Sequence, residues 1–146
     1  MFAKLLAALA APAPDPLDDG DARLALTALL VRVARTDGDY AAPEIARIDR
    51  ISQTRYALSP AQAEALRAEA ESLESEAPDT VRFTRAIKDA VPYEEREAVV
   101  EALWSVVLAD GARDDDEDAL LRLVSKLLGV NDRDSAFARK RAEGSA

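Results

Sequence analysis

From residue 21 onward, nearly every stretch between turn residues places its apolar side chains three and four positions apart. No stretch alternates apolar with polar residues as a half-buried strand does. Such a chain folds by packing helices against one another, because each apolar stripe must be covered by a neighbour. The spacing predicts seven main helices. The first, over residues 21–36, carries Leu24, Leu26, Leu29, Leu30, Val31 and Val33, too broad a set for a single stripe. The second, over 42–56, has Ile45, Ile48 and Ile51 in line. Ser59-Pro60-Ala61-Gln62 is a capping box that opens the third, which runs to about residue 75. Glu64, Glu69, Glu71, Glu74 and Glu76 are expected on its exposed face. A fourth helix after Pro78 carries Val81, Phe83 and Ile87, with Arg82, Arg85 and Lys88 as a small basic face. The fifth, opened by Pro92, holds Val99, Val100, Leu103, Trp104, Val107 and Leu108. It is expected to be the most buried, with Trp104 as a core anchor. The sixth ends at Gly129, a favoured residue just past a helix end. Asn131 caps the seventh, which is expected to fray over 140–146.

Residues 1–11, MFAKLLAALAA, have some features of a bacterial signal peptide. The apolar run is short and runs into prolines without a clear cleavage site, so the better reading is a short amphipathic helix on Phe2, Leu5, Leu6 and Leu9. Pro12, Pro14 and Pro16 then form a tether. The expected organisation is an N-terminal helix and linker over 1–20 and an all-α bundle over 21–146. No apolar run reaches the ~20 residues that cross a bilayer. A soluble, cytoplasmic chain is the expectation.

The two halves of the bundle resemble each other. One constant shift lays Asp37-Gly38 on Asp110-Gly111, Glu44 on Glu117, Ile48 on Leu121, Ile51 on Val124, Leu30 on Leu103 and Val33 on Val106. The unit is a buried helix, an Asp-Gly turn, an acidic helix start and an apolar stripe, and two copies imply an approximate two-fold pseudo-repeat.

Composition narrows the chemistry. The 146 residues contain no His and no Cys. Disulfides, thiolate or imidazole metal sites and His-dependent nucleophilic catalysis are therefore excluded. With 28 acidic against 19 basic residues the net charge is −9, which disfavours nucleic acid and anionic lipid as direct partners. Any metal must be a hard, oxygen-seeking ion. The candidate ligands lie in the two repeated loops: Asp37, Asp39 and Glu44 in the first, Asp110, Asp114 and Glu117 in the second. Asp114 to Asp118 is an unbroken acidic run. Helix dipoles offset only about 0.3–1 kcal/mol per acidic residue, and a divalent cation would relieve the remaining repulsion. Capping and solvation explain the same residues without a metal. The loop does not fit an EF-hand, whose Gly falls at the sixth position. Paired carboxylates could also serve glycoside hydrolysis, but no aromatic platform for a sugar is evident.

Two apolar helices ending in Val33-Ala34-Arg35-Thr36-Asp37-Gly38 and Leu108-Ala109-Asp110-Gly111, each followed by Glu44 or Glu117, resemble the tellurite-resistance TerB-like family. They also resemble the related N-terminal domain of DjlA-type co-chaperones. The resemblance covers roughly residues 22–138. It implies about seven helices and a divalent-cation site, calcium or magnesium, on Asp37, Glu44, Asp110 and Glu117, with Asp39 and Asp114 as neighbours. It implies a non-enzymatic stress-response role with a protein partner in membrane-associated assemblies. Ala41 departs from the family pattern, where a Ser or Thr cap is usual, and no J-domain motif is present. The alternative is a metal-free interaction scaffold whose acidic loops meet a basic partner.

Overall fold

The computed structural model describes residues 3–10, 17–36, 40–77, 79–109 and 115–144, the side chain of Asp115 excepted. Among them are eight helices and no strand: α1 (Ala3–Ala10), α2 (Asp19–Arg35), α3 (Ala42–Tyr56), α4 (Pro60–Glu76), α5 (Thr80–Ala90), α6 (Tyr93–Val107), α7 (Asp115–Leu127) and α8 (Asp132–Gly144). The all-α reading holds, with seven helices following a short N-terminal one. Phe2, the three tether prolines and both Asp-Gly pairs lie outside the described residues.

Four helices start where a side chain satisfies one of their first amide groups. Asp18 Oδ1 accepts the Asp21 N–H at 2.7 Å to open α2. Ser59 and Gln62 form the expected reciprocal box, with Gln62 N–H to Ser59 Oγ at 3.2 Å and Ser59 N–H to Gln62 Oε1 at 2.9 Å. Asn131 Oδ1 accepts the Asp134 N–H at 2.8 Å for α8. Asp79 caps α5 through the Arg82 N–H at 3.0 Å, and that hydrogen bond holds its carboxyl below the usual carboxylate range.

The helices form two trios. α2, α3 and α4 pack on one another, as do α6, α7 and α8, and α2 also contacts α5, α6 and α7. α2 is the most buried helix, which corrects the expectation for α6. Ten of its residues are buried, including the run Leu24 to Val31, against six in α6. The reason is position, since α2 is enclosed by both trios. Trp104 is the anchor expected of it: its ring is 3 % exposed and its Nε1 donates to Ser135 Oγ at 3.2 Å. α1 is not loose on its tether, because Leu5 and Leu9 are buried in the common core and α1 packs against α5. α8 continues to Gly144 instead of fraying at 140, held by buried Ala138 and Ala142.

Among the described residues, two helices end in left-handed backbone. Gly129 has φ 81° and follows α7. The equivalent role after α3 falls to Ala57, with φ 53° and ψ 44°. A Cβ in this region costs about 1–2 kcal/mol, partly offset by the lower unfolded-state entropy of alanine. Ala57→Gly is therefore expected to stabilise the chain by about 0.5–1 kcal/mol, a rise in Tm of about 2–4 °C by calorimetry.

Candidate functional site

α3 and α7 carry a glutamate at the same place in their first turn. Glu44 is the third residue of α3 and Glu117 the third of α7. Both face inward: Glu44 is 0 % exposed and Glu117 1 % exposed. Glu44 Oε1 accepts the N–H of Ala41 at 3.1 Å. This is the acidic half of a capping box, and Ala41 at the N-cap has no side chain to complete it. Further along the same helices, Ile48 and Leu121 are buried, and so are Ser52 and Ser125. Ser125 Oγ returns its hydrogen to the Leu121 carbonyl at 2.8 Å. The buried serines stand at matching positions that composition alone did not mark.

Burying a carboxylate costs several kcal/mol. A helix N-terminus returns about 0.3–1 kcal/mol, and about 2 in favourable partly buried geometry. Two such glutamates at matching positions are thus expensive for stability alone, and their oxygen chemistry fits a hard cation. Among the described residues no group of three or more acidic side chains converges on one point. Asp37, Asp39, Asp110 and Asp114 lie outside the described residues.

The exit of the first acidic loop is anchored by groups that sequence reasoning missed. Tyr40 Oη donates to Glu71 Oε2 at 2.7 Å. Arg67 bridges the same Glu71 at 3.2 Å and Asp49 of α3 at 2.7 Å. Arg35, at the end of α2, lies 5.1 Å from the Tyr40 ring centroid and binds Glu74 at 3.0 Å. Arg32 reaches Glu74 at 3.5 Å. Glu71 and Glu74 are therefore not on a free acidic face: they are half-buried in a network that ties α2, α3 and α4 together. Glu64, Glu69 and Glu76 are exposed as expected. The Arg67-Glu71 spacing of one helical turn is a sequence signal for part of this network. The long-range partners left none. The basic face expected on α5 is exposed at Arg82 and Arg85, and Arg82 pairs at its own helix start with Asp79 at 3.6 Å.

The family model described as tellurite resistance protein TerB matches residues 23–140. The chain belongs to the TerB family. At the family level it is a tellurite-resistance-like module, and the match spans α2 to α7 and most of α8, leaving α1 outside. Neither a curated protein nor a solved structure gives a significant match. No helix among the described residues of this TerB domain is long and apolar enough to cross a membrane.

Burial and the hydrogen bond to Glu71 push the Tyr40 phenol well above its ordinary pKa of 10.0. The neutral phenol is the form the fold prefers, so its contribution is fully present below about pH 10 and is lost as pH rises beyond that. Tyr40→Phe keeps the ring and removes the hydrogen bond, and is expected to cost about 1–2 kcal/mol at pH 7 in urea unfolding. The gap between the two proteins should narrow as the pH is raised above 10.

Proposed function

We propose that this TerB domain is a non-enzymatic stress-response module that binds a divalent cation, calcium or magnesium, through its two acidic loops. Asp37, Asp39 and Glu44 would supply one set of oxygens and Asp110, Asp114 and Glu117 the other, the two loops being copies in a two-fold pseudo-repeat. The observation that carries the reading is the complete burial of Glu44 and Glu117 at the third position of their helices. A carboxylate meant only for capping or solubility gains nothing from leaving water. Calcium takes six to eight oxygens and magnesium six, so aspartates from the loop, backbone carbonyls and water would complete either shell. The cation would order the loops, and the ordered face would meet a protein partner. The reading extends to a cytoplasmic chain acting within a membrane-associated assembly, on the support of the family resemblance.

The test is thermal unfolding of chelator-treated protein at constant ionic strength with calcium, magnesium or manganese added. Binding at 100 times Kd adds about 2.7 kcal/mol, several degrees in Tm. The shift should depend on the ion and be lost in Glu44→Gln and Glu117→Gln, each of which is expected to fold because the amide keeps the shape and removes the buried charge. If no ion shifts Tm, or if the variants respond like the parent, the cation reading falls. A metal-free scaffold, sensitive to ionic strength but not to the identity of the ion, then replaces it.

A further inference from the structure

A groove lies where α3 and α6 meet the end of α8. It is an open cleft of about 440 Å³, within the volume range of small-molecule sites. One wall is α3, where Arg47, Arg50 and Thr54 follow at helical spacing, with Arg55 beside them. The floor is short: Ala98, Ala102 and Ser105 stand one turn apart on α6, with Ala142 of α8 alongside. These small side chains leave the space that larger ones would fill. Ile51 adds an apolar flank.

The lining of this groove is opposite in sign to the net charge of the chain. The chain carries −9 overall, yet three guanidinium groups line one cavity. Ion pairs consume arginines elsewhere: Arg32 and Arg35 hold Glu74, and Arg67 holds Asp49 and Glu71. Among the described residues, no carboxylate pairs with Arg47, Arg50 or Arg55. Arg47 Nη1 donates to Ser105 Oγ at 2.8 Å, which fixes its head across the floor. Arg55 lies 5.9 Å from the centroid of the Tyr56 ring. The one acidic lining residue, Glu101, is engaged by Arg141 Nε at 3.5 Å.

We propose that this groove binds a soluble phosphate ester of nucleotide or sugar-phosphate size. The phosphate sits on Arg47 and Arg50, and the organic part lies against Ile51, Ala98 and Ala102. Guanidinium forks match tetrahedral oxyanions with paired N–H donors. A monoester carries about −1.5 to −2 charge at pH 7, enough to engage two of the three arginines. An apolar flank beside the cations favours an esterified phosphate over the bare ion.

Calorimetric titration of the full chain with AMP and with glucose 6-phosphate at 0.15 M salt tests this. The expected result is saturable binding of at least one ester with Kd at or below about 1 mM, and weaker binding of inorganic phosphate. Arg47→Gln with Arg50→Gln should weaken it at least tenfold. Ala98→Leu, at an exposed position, should do the same by filling the cavity with the charge unchanged, and it carries the test if the arginine variant unfolds. Arg122→Gln, on α7 outside the groove, should bind as the parent does. The proposal is overturned by the absence of saturable ester binding, by equal loss in Arg122→Gln, or by undiminished binding in Ala98→Leu. Binding of a polyglutamate peptide or of phosphatidylglycerol vesicles in place of the soluble esters would overturn it as well.

Discussion

The enclosure of α2 is the constraint on which the rest of the structure depends. A helix apolar on nearly every side cannot lie on a surface; it must be wrapped. α2, with its buried run Leu24 to Val31, touches α3, α4, α5, α6 and α7. α3 and α4 close one side, α6 and α7 the other, and α5 connects the two trios while giving α1 a place to dock. Burial at about 25 cal/mol per Å² makes this wrapping the main favourable term in the fold.

Polar chemistry is distributed around that core by cost. Two buried hydroxyls find local acceptors: Ser125 returns to the Leu121 carbonyl, and Thr27 Oγ1 to the Arg23 carbonyl at 2.9 Å. Arginines are used as bridges between helices, with their stems packed on rings: Arg32 lies 4.9 Å from the Phe83 centroid and Arg139 4.8 Å from that of Trp104. Glu44 and Glu117 stand apart from this economy, since each carries a carboxylate into the interior at a helix start. Both residues lie within the stretch that the TerB family model matches.

The molecule thus presents two electrostatically opposed regions on one scaffold. The acidic loops lie at the starts of α3 and α7. The arginine-lined groove lies along α3, α6 and α8. α3 contributes to both, with Glu44 in its first turn and Arg47 and Arg50 in the next.

Much of this was legible in the residues themselves. Helix class, helix number and most helix starts follow from period and capping, because these are local: Ser59, Pro60, Gln62 and Asn131 act on amides within one turn of themselves. Glu44 and Glu117 were visible as candidates because they stand at matching points after matching turns. What the sequence could not decide depends on distance through space. The prominence of α2 over α6, the docking of α1 through Leu5 and Leu9, and the half-burial of Glu71 and Glu74 arise from contacts between segments far apart in the chain. The groove beneath Arg47 and Arg50 belongs to the same class. A helical period shows which side chains share a face, and only packing decides whether that face meets a neighbour, a cavity or water.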